Sequence, residues 1–276
     1  MLTAESEGGQ LKCHPYWAAK EYGTFKLKAL SEKRVSLDPQ KYRRSATRQE
    51  SGRRRANTNT ESSLTSAPTN EPYVIVRKFT LSHSSKPFTP MREVTQLHYS
   101  SWPDFGAPAQ PLHLLGLVEL SNSLQRAASS PSVGSHTKAD DPEDSPHVRP
   151  LLVHCSAGCG RTGTFCTVDS VIDMLKRQRK EHKSGVTPME ISSGRDYMVK
   201  SKNAATESND WIFDEEIDLI QKTVEDFRKQ RISMVQTLRQ YVLCYETALE
   251  WINQQRVGET RERSGSETRG GGNRSS

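Results

Sequence analysis

The 276-residue sequence predicts an α/β (α+β) domain in which a mixed, twisted sheet is flanked by helices. This class is predicted by the order of the segments: those with strand composition come early in the chain, and those with helical periodicity come late. The composition adds a separate point. Only 33% of the residues are apolar, and counting the 17 glycines as well leaves the chain below the roughly 45–50% of an ordinary globular protein. We therefore expect part of the chain to lie outside the packed core.

Three segments have the composition of β-strands. Residues 73–79 (YVIVRKF) and residues 94–99 (VTQLHY) are rich in β-branched and aromatic side chains, which favour strands. Residues 151–153 (LLV) form a short apolar run that predicts a buried strand.

Four helices are predicted by apolar side chains that recur at steps of three or four residues. The first begins at Pro111, because proline fits the first turn of a helix. Each apolar stripe is predicted to face the core. In chain order the stripes are Leu112, Leu115 and Val118; Phe165, Val168, Ile172 and Leu175; Phe213, Ile217, Ile220, Val224 and Phe227; and Val235, Leu238, Val242, Tyr245, Leu249 and Ile252.

Four polar segments lack any periodicity. Three of them, residues 31–72, 127–149 and 183–209, are predicted to be disordered insertions in a single domain of residues 1–255. The fourth, residues 256–276, is predicted to be a disordered tail. Insertions of this kind leave a fold intact because the entropy of loop closure grows only logarithmically with length.

The formal net charge of +6 does not by itself indicate a nucleic-acid partner. Residues 33–55 contain nine basic and two acidic residues, so this segment carries +7 and the rest of the chain carries −1. A basic run in a Ser/Thr-rich segment is typical of a solvated spacer, or of a docking or localisation patch. A nucleic-acid binder led by the arginines at 53–55 is the alternative, and its binding would depend steeply on salt. We expect no nucleic-acid partner.

Membrane and secreted proteins are not predicted either. The sequence has no run of roughly 18 to 20 apolar residues, and its first residues (MLTAESEGG) lack the features of a signal peptide. The cysteines are odd in number and lack a paired metal-ligand spacing, which indicates free thiols in a reducing compartment. We therefore expect a cytoplasmic protein without a membrane anchor, metal or zinc site. The five cysteines are Cys13, Cys155, Cys159, Cys166 and Cys244.

Residues 150–165 (PLLVHCSAGCGRTGTF) place a cysteine between an apolar run and a predicted helix. Five residues separate Cys155 from Arg161, and Gly158 and Gly160 give that loop unusual conformational freedom. Backbone N–H groups at a helix N-terminus suit a tetrahedral oxyanion such as phosphate. The alternative is a glycine-rich turn before a helix with a purely structural role. The residues predicted to bind phosphate are Ser156, Ala157, Gly158, Cys159, Gly160 and Arg161.

The same loop predicts an activated thiol. The N–H dipoles and the Arg161 guanidinium should lower the pKa of Cys155 far enough to give a thiolate at neutral pH. Arg161 is predicted to hold two phosphate oxygens. Thr162 is placed to hydrogen-bond the sulfur, and His154 to fix the loop from behind.

HCSAGCGRTG resembles the signature of the cysteine-based protein phosphatases, in their tyrosine-specific branch. Residues 102–108 (WPDFGAP) resemble the mobile loop of that family, which implies that Asp104 is the general acid and Trp102 the packed pivot. Residues 234–241 (MVQTLRQY) resemble its glutamine motif, which implies that Gln236 positions the hydrolytic water and Gln240 assists.

Residues 11–17 (LKCHPYW) resemble a further family stretch, although Ala18 stands where the family usually has proline. The resemblance implies that Lys12 contacts the aspartate loop and that Glu7 braces the signature arginine. Both charged residues fit a solvated surface position equally well.

The resemblance implies hydrolysis of phosphotyrosine in proteins through a phosphocysteine intermediate, without a cofactor or metal. The inserted segments are most similar to the fungal branch of the family. By analogy they imply a cytoplasmic signalling phosphatase whose phosphotyrosine-containing substrate is a protein, with a kinase as one candidate. Cys13 and Cys159 are candidate resolving thiols for an oxidised Cys155, or simply spectators.

The match to the family begins in the middle of its domain, so we expect an N-terminally truncated catalytic domain that lacks the family's first helices, part of its sheet and its phosphotyrosine-recognition loop. The alternative function is a catalytically impaired fragment or a regulatory protein that binds phosphotyrosine without hydrolysing it.

Overall fold

The computed structural model describes residues 1–37, 72–128, 142, 149–184 and 209–267. The strands in these residues are β1 (Ser6–Glu7), β2 (Gln10–Leu11), β3 (Glu21–Tyr22), β4 (Phe25–Ser36), β5 (Tyr73–His83) and β6 (Arg92–His98). The helices are α1 (Pro111–Ala128), α2 (Gly160–Ser184), α3 (Leu219–Gln230) and α4 (Leu238–Glu267), with a 3₁₀ turn at Asn209–Phe213. The predicted order of early strands and late helices is confirmed.

The main sheet has the strand order β3-β4-β5-β6, and every pairing among these strands is antiparallel. The register sets Val35 opposite Val74 and Phe79 opposite Val94, and a bulge interrupts β4 between Ala29 and Ser31. β1 and β2 form a separate two-stranded hairpin. The predicted strands at 73–79 and 94–99 are confirmed, whereas β4 was not predicted.

The prediction of a short buried strand at residues 151–153 is wrong. These residues are not assigned to a strand, and the Leu152 side chain is 86% exposed. In the described chain the adjacent residue His154 accepts a backbone hydrogen bond from the Leu2 N–H at its carbonyl (2.8 Å). Met1 lies beside β6, where its α-amino group donates to the Leu97 carbonyl (2.9 Å) and its carbonyl accepts from the Tyr99 N–H (3.0 Å). Bonds to residues on either side of His98 are the pattern of a parallel pairing. The predicted α/β class, with a mixed twisted sheet flanked by helices, is confirmed.

The core lies between one face of the sheet and the helices. β5 contributes Val74 and Val76, while α1, α2 and α4 pack against one another. Burial of these faces in an apolar cluster is the main stabilising contribution to the fold. The α1 and α2 stripes are largely confirmed. Their fully buried members are Leu115, Val118, Phe165, Val168 and Ile172.

Helix α3 begins later than its periodicity predicts. Phe213 lies in the 3₁₀ turn and Ile217 precedes the helix, because Asp218 is the N-cap. The Asp218 carboxylate accepts hydrogen bonds from the backbone N–H groups of Ile220 and Gln221 (2.9 and 3.0 Å), which satisfies donors that a helix end otherwise leaves free.

Helix α4 turns a different face to the core than predicted. Leu238 is 78% exposed and Leu249 is 58% exposed, whereas Gln240 and Thr247 are fully buried. The spacing of large apolar residues does not predict this face, because Gln240 and Thr247 are polar. Cys244 and Ala248 are small, which lets α1 and α2 approach α4 closely. The buried residues of α4 are Gln240, Leu243, Cys244, Thr247, Ala248 and Trp251.

Regular secondary structure extends into the ends of the predicted insertions and into the predicted tail. β4 continues to Ser36, α1 to Ala128 and α2 to Ser184, and α4 runs past residue 256 to Glu267. Residues 256–267 are rich in arginine and glutamate, which favour helix. The remainder of these predicted segments lies outside the described residues, apart from short flanking stretches. Among the helices that the structure describes, none is long and apolar enough to cross a bilayer.

Candidate active site

The loop between residue 154 and helix α2 surrounds the Cys155 sulfur. Cys155 is buried, and the Gly158 N–H donates to its Sγ at 3.2 Å. Gly158 has a φ of +70°, a left-handed conformation that favours glycine. Helix α2 begins at Gly160, so the positive end of its dipole also faces the loop.

The pKa of Cys155 lies below its ordinary value. Burial on its own raises that pKa, but hydrogen bonds from the Thr162 hydroxyl and from the backbone N–H groups of Thr162, Gly158 and Cys159 stabilise the thiolate and outweigh it. The Thr162 hydroxyl is buried and has no other hydrogen-bond partner within the described chain. The thiolate is therefore the acceptor that remains for this hydroxyl.

Arg161 lies at the centre of the site with its side chain 1% exposed. One terminal nitrogen donates to Glu7 Oε1 (2.5 Å) and to the Trp102 carbonyl (2.8 Å), and the other donates to Asp104 Oδ1 (3.1 Å). A buried guanidinium needs such partners, since its desolvation is costly. These contacts join three separate parts of the chain.

The β1–β2 hairpin delivers two of the predicted charged residues. Its turn is formed by Gly8 and Gly9, which have φ values of 58° and 78°. The turn places Glu7 against Arg161 and Lys12 against Asp104, where Lys12 Nζ lies 2.9 Å from Oδ2. Both side chains are mostly buried, so the reading of Glu7 and Lys12 as solvated surface groups is wrong.

The loop at residues 102–108 folds over the site. The Trp102 ring is fully buried, and its Nε1–H donates to the carbonyl of Gly106 (2.9 Å). That carbonyl also accepts from the Gln240 amide (3.4 Å), and the Phe105 carbonyl accepts from the Thr237 hydroxyl (3.3 Å). The loop is thus held against the glutamine segment as well as against Arg161.

The pKa of Asp104 lies below its ordinary value. Burial raises it, but the hydrogen bond from Lys12 and the charges of Arg161 and Lys12 stabilise the carboxylate more strongly. In this conformation Asp104 is ionised at neutral pH.

The glutamine segment packs on the start of α2. The Val235 N–H donates to the carbonyl of Cys159 (3.3 Å), and the Gln236 N–H donates to the fully buried Gln240 side chain (3.0 Å). The Gln236 side chain itself is exposed. A Cβ placed on Gly160 would lie 2.6 Å from Gln236 Oε1, so this side chain reaches the rim of the phosphate loop.

His154 supports the loop from behind through Tyr16. Its Nε2 pairs with the Tyr16 hydroxyl (2.8 Å), and its Nδ1 pairs with the Cys155 carbonyl (3.3 Å). Burial lowers the pKa of His154. The Tyr16 hydroxyl also accepts from the Gln96 amide (2.9 Å). Tyr16 lies in the LKCHPYW segment, where nothing in the local sequence indicates a contact with the phosphate loop.

Arg231 is a second contact that the sequence did not reveal. It follows α3, and it donates from Nε to Cys159 Sγ (3.1 Å) and from its NH2 nitrogen to the Ala157 carbonyl (2.8 Å). No periodicity or local motif marks this residue, because its partners lie more than 70 residues away.

The remaining cysteines are free thiols in the described chain. Burial raises the pKa of Cys166 to about 11 and that of Cys244 to about 12, and it also raises the pKa of Cys13. Cys13, Cys166 and Cys244 are therefore poor nucleophiles at neutral pH. Within the described residues, no group of three or more His, Cys, Asp or Glu side chains is arranged to hold a metal ion.

The arrangement can bind an anion and attack it. It combines inward N–H groups, a buried guanidinium, a thiol with a lowered pKa and a carboxyl group on a loop that closes over them. These are the parts that nucleophilic displacement at a phosphoryl group requires.

Comparison with known proteins agrees with this geometry. A family model described as protein-tyrosine phosphatase matches residues 1–206 and 206–250. Tyrosine-protein phosphatase 3 of Saccharomyces cerevisiae is 30% identical over 64% of this chain and 15% of the yeast protein. The human tyrosine-protein phosphatase non-receptor type 18 is 28% identical over 91% of this chain and 35% of the human protein.

A solved structure described as the "Structural basis of PTPN18 fingerprint on distinct HER2 tyrosine phosphorylation sites" superposes with a TM-score of 0.52 at 25% identity. The superposition covers 91% of this chain and 57% of that one. The chain thus spans only part of each of these relatives. The match to the family model covers most of the 276 residues, and the chain belongs to the protein-tyrosine phosphatase family.

Proposed function

We propose that this chain hydrolyses phosphotyrosine in proteins through a phosphocysteine intermediate. The observation that carries the proposal is the Cys155 thiol, whose pKa is lowered by hydrogen bonds inside an anion-binding loop that Arg161 borders. A thiolate in such a loop is both a nucleophile and a neighbour of the phosphate that it attacks. The names of the relatives, all tyrosine-protein phosphatases, support tyrosine as the substrate residue.

The first step of the mechanism transfers the phosphoryl group to the protein. The Cys155 thiolate forms a bond to phosphorus while the bond from phosphorus to the phenolic oxygen breaks. The loop N–H groups and Arg161 stabilise the charge on the non-bridging oxygens. Asp104, in its protonated form, gives its proton to the leaving phenolate. The products are free tyrosine on the substrate and phosphocysteine on the protein.

The second step returns the protein to its starting state. Asp104, now a carboxylate, takes a proton from a water molecule that Gln236 orients, and the water oxygen bonds to phosphorus as the P–S bond breaks. Inorganic phosphate and the thiolate are the products. The pH profile is expected to be bell-shaped, because the thiolate is lost on the acid side and the Asp104 proton on the alkaline side.

The setting of this reaction is part of the proposal. We assign the chain to signalling in the cytoplasm, with phosphotyrosine-containing proteins, kinases among them, as substrates. The human relative is named a non-receptor phosphatase, and the solved relative is described in terms of HER2 tyrosine phosphorylation sites. Both descriptions favour a protein substrate over a small phosphate ester.

The deciding experiment is hydrolysis of para-nitrophenyl phosphate by the full chain and by Cys155→Ser. The serine variant should lose at least about 10³-fold in turnover, because its hydroxyl is not ionised at neutral pH. Vanadate should inhibit the unmodified chain. Circular dichroism and the urea midpoint of both proteins serve as the folding control. Equal turnover in both proteins would refute the assignment of Cys155.

One observation favours the alternative, a protein that binds phosphotyrosine without hydrolysing it. Asp104 is ionised and paired with both Arg161 and Lys12, so the loop is closed in a form that lacks the acid proton. The same experiment separates the two functions. Tight vanadate binding by a folded chain with no turnover would favour the binding protein, whereas vanadate-sensitive turnover would favour the enzyme.

A further inference from the structure

We infer that Arg231 is a positioning residue that fixes the peptide between Ala157 and Gly158, with its N–H aimed at the Cys155 sulfur. The Arg231 side chain lies on the outer wall of the phosphate loop, where its NH2 nitrogen donates to the Ala157 carbonyl (2.8 Å). On the inner side of the loop, the Gly158 N–H donates to Cys155 Sγ (3.2 Å). The inference rests on the proposed function for its effect on turnover, but its geometry does not depend on that function.

The two hydrogen bonds belong to one rigid peptide group. The carbonyl of Ala157 and the N–H of Gly158 share a planar trans amide, so they point in opposite directions. A donor that holds the carbonyl on the outside therefore holds the N–H on the inside. Because the donor is a cation, it also polarises the amide and makes the N–H a stronger donor to the thiolate.

Gly158 makes this restraint necessary. Its φ of +70° is accessible to glycine, but glycine also adopts other conformations freely, so the residue does not hold the peptide orientation by itself. The nearest atoms to a Cβ placed on Gly158 belong to the Arg231 guanidinium, at 3.6 Å and beyond. Arg231 thus occupies the space directly outside the flexible point of the loop.

Arg231 is itself held firmly by the backbone. Its N–H donates to the Phe227 carbonyl (2.9 Å) and caps α3. Arg228, one turn earlier, donates to the carbonyls of Met234 and Val235 (2.9 and 2.8 Å), which fixes the segment after Arg231. A second contact, from Arg231 Nε to Cys159 Sγ (3.1 Å), sets the guanidinium plane against the loop.

Other groups also act on the Cys155 thiolate, so the test must isolate Arg231. The Thr162 hydroxyl and N–H lie in the first turn of α2, next to Arg161, and the N–H groups of Gly158 and Cys159 belong to the loop. The remaining charged or titratable groups near the site in the described chain include Met1 (its α-amino group), Glu7, Lys12, Asp104, His154, Cys159 and Cys166. Of these groups, the Cys159 thiol also donates to the Ala157 carbonyl (3.5 Å), as a neutral and weaker donor than the Arg231 guanidinium.

The test compares Arg231→Met, Arg231→Lys and Lys229→Met in the full chain. Methionine has a side chain of similar length without a donor, and lysine keeps the charge but lacks the fork that reaches both loop atoms. Lys229 is an exposed cation near the same helix end, so Lys229→Met is the control for loss of charge. The main readout is the rate at which iodoacetate alkylates Cys155 as a function of pH, followed by mass spectrometry of the peptide that contains it.

We expect Arg231→Met to move the alkylation profile to higher pH and to reduce the alkylation rate at pH 6 about three- to tenfold. This is the effect expected when the hydrogen bond from the Gly158 N–H to the Cys155 thiolate is weakened or lost. Arg231→Lys should recover part of the loss, and Lys229→Met should match the unmodified chain. If turnover occurs, kcat/KM should fall by a similar factor in Arg231→Met.

Two results would overturn the inference. The first is an unchanged alkylation profile in Arg231→Met, and the second is an equal loss in Arg231→Met and Lys229→Met, which would reduce the effect to net charge. Should Arg231→Met not fold, the comparison of Arg231→Lys with Lys229→Met decides by the same criterion. A shifted alkylation profile without turnover in any protein would contradict the proposed function and leave this inference standing.

Discussion

Two glycines of α2 provide a matched test of how the glutamine segment is seated. A Cβ added at Gly163 would lie 2.5 Å from the backbone nitrogen of Val235 and 3.2 Å from Met234 Cα. A Cβ added at Gly160 would lie 2.6 Å from Gln236 Oε1 and 3.0 Å from the Gln240 amide. The first contact is with backbone, and the second is with the ends of side chains. The two alanine substitutions should therefore have different consequences.

The backbone contact is the costly one. Val235 is buried, has a φ of +58°, and donates to the Cys159 carbonyl, so its nitrogen cannot rotate away from Gly163. Overpacking of this kind costs about 1–3 kcal/mol, while alanine in place of a helical glycine returns up to about 1 kcal/mol. Gly160→Ala displaces side chains instead. We expect Gly163→Ala to be less stable than Gly160→Ala by about 1–2 kcal/mol.

Urea denaturation of the unmodified chain, Gly160→Ala and Gly163→Ala, monitored by tryptophan fluorescence, measures this difference in the free energy of unfolding. Rapid-mixing kinetics with para-nitrophenyl phosphate measures the second effect. Under the proposed mechanism Gln236 orients the hydrolytic water, so Gly160→Ala, which displaces this side chain, should release the first equivalent of nitrophenol quickly and then turn over slowly. Equal urea midpoints for the two variants, together with an unaltered steady-state rate in Gly160→Ala, would refute the reasoning.

Two further substitutions test the two lowered pKa values. Lys12→Met removes a hydrogen bond and a charge that lower the pKa of Asp104, so this pKa should rise and the alkaline limb of kcat/KM should move to higher pH. The stability that the ion pair contributes above the unfolded pKa of Asp104 should fall, and the urea midpoint should differ from the unmodified chain at pH 7 but not at strongly acidic pH. Thr162→Val should raise the pKa of Cys155 and shift its alkylation by iodoacetate to higher pH, because the hydroxyl has no other acceptor among the described residues. By linkage, the urea midpoint should fall at pH values at which Cys155 is ionised in the folded chain and should fall less at acidic pH, where the thiol is protonated. An unshifted profile in either variant would contradict the assigned cause of that pKa.

The local geometry of the candidate site follows from the sequence where one short segment specifies it. The loop from Cys155 to Arg161 and the start of α2 follow from one continuous stretch whose glycines and apolar residues specify its geometry. The contacts of Glu7 and Lys12 required the family resemblance, since nothing in their immediate sequence indicates that a hairpin brings them to Arg161 and Asp104.

The sequence failed where tertiary contacts override local preference. The exposed strand β4 lacks a clear alternation of apolar and polar residues and is held mainly by its pairing with β5. Helix α4 buries Gln240 because that side chain bonds to Gln236 and reaches the Gly106 carbonyl, an interaction that a count of apolar residues cannot detect. The start of α3 depended on the capping carboxylate of Asp218. Each failure arises from a polar interaction or a distant pairing.

The charges around Arg161 explain how one carboxyl group can be ionised in the free chain and still act as an acid. Without substrate, Arg161 and Lys12 together balance Glu7 and Asp104, and the pKa of Asp104 is low. Under the proposed mechanism, a phosphate dianion takes over donors of Arg161 and brings negative charge next to Asp104. Both changes raise the pKa of that carboxyl group, since an attractive charge is engaged elsewhere and a repulsive one arrives. Substrate binding then supplies the proton affinity that protonation of the leaving group needs. The low pKa of Asp104 in the free chain is therefore compatible with its proposed role as the acid, and the ion pair with Arg161 is the contact for which a bound phosphate would compete.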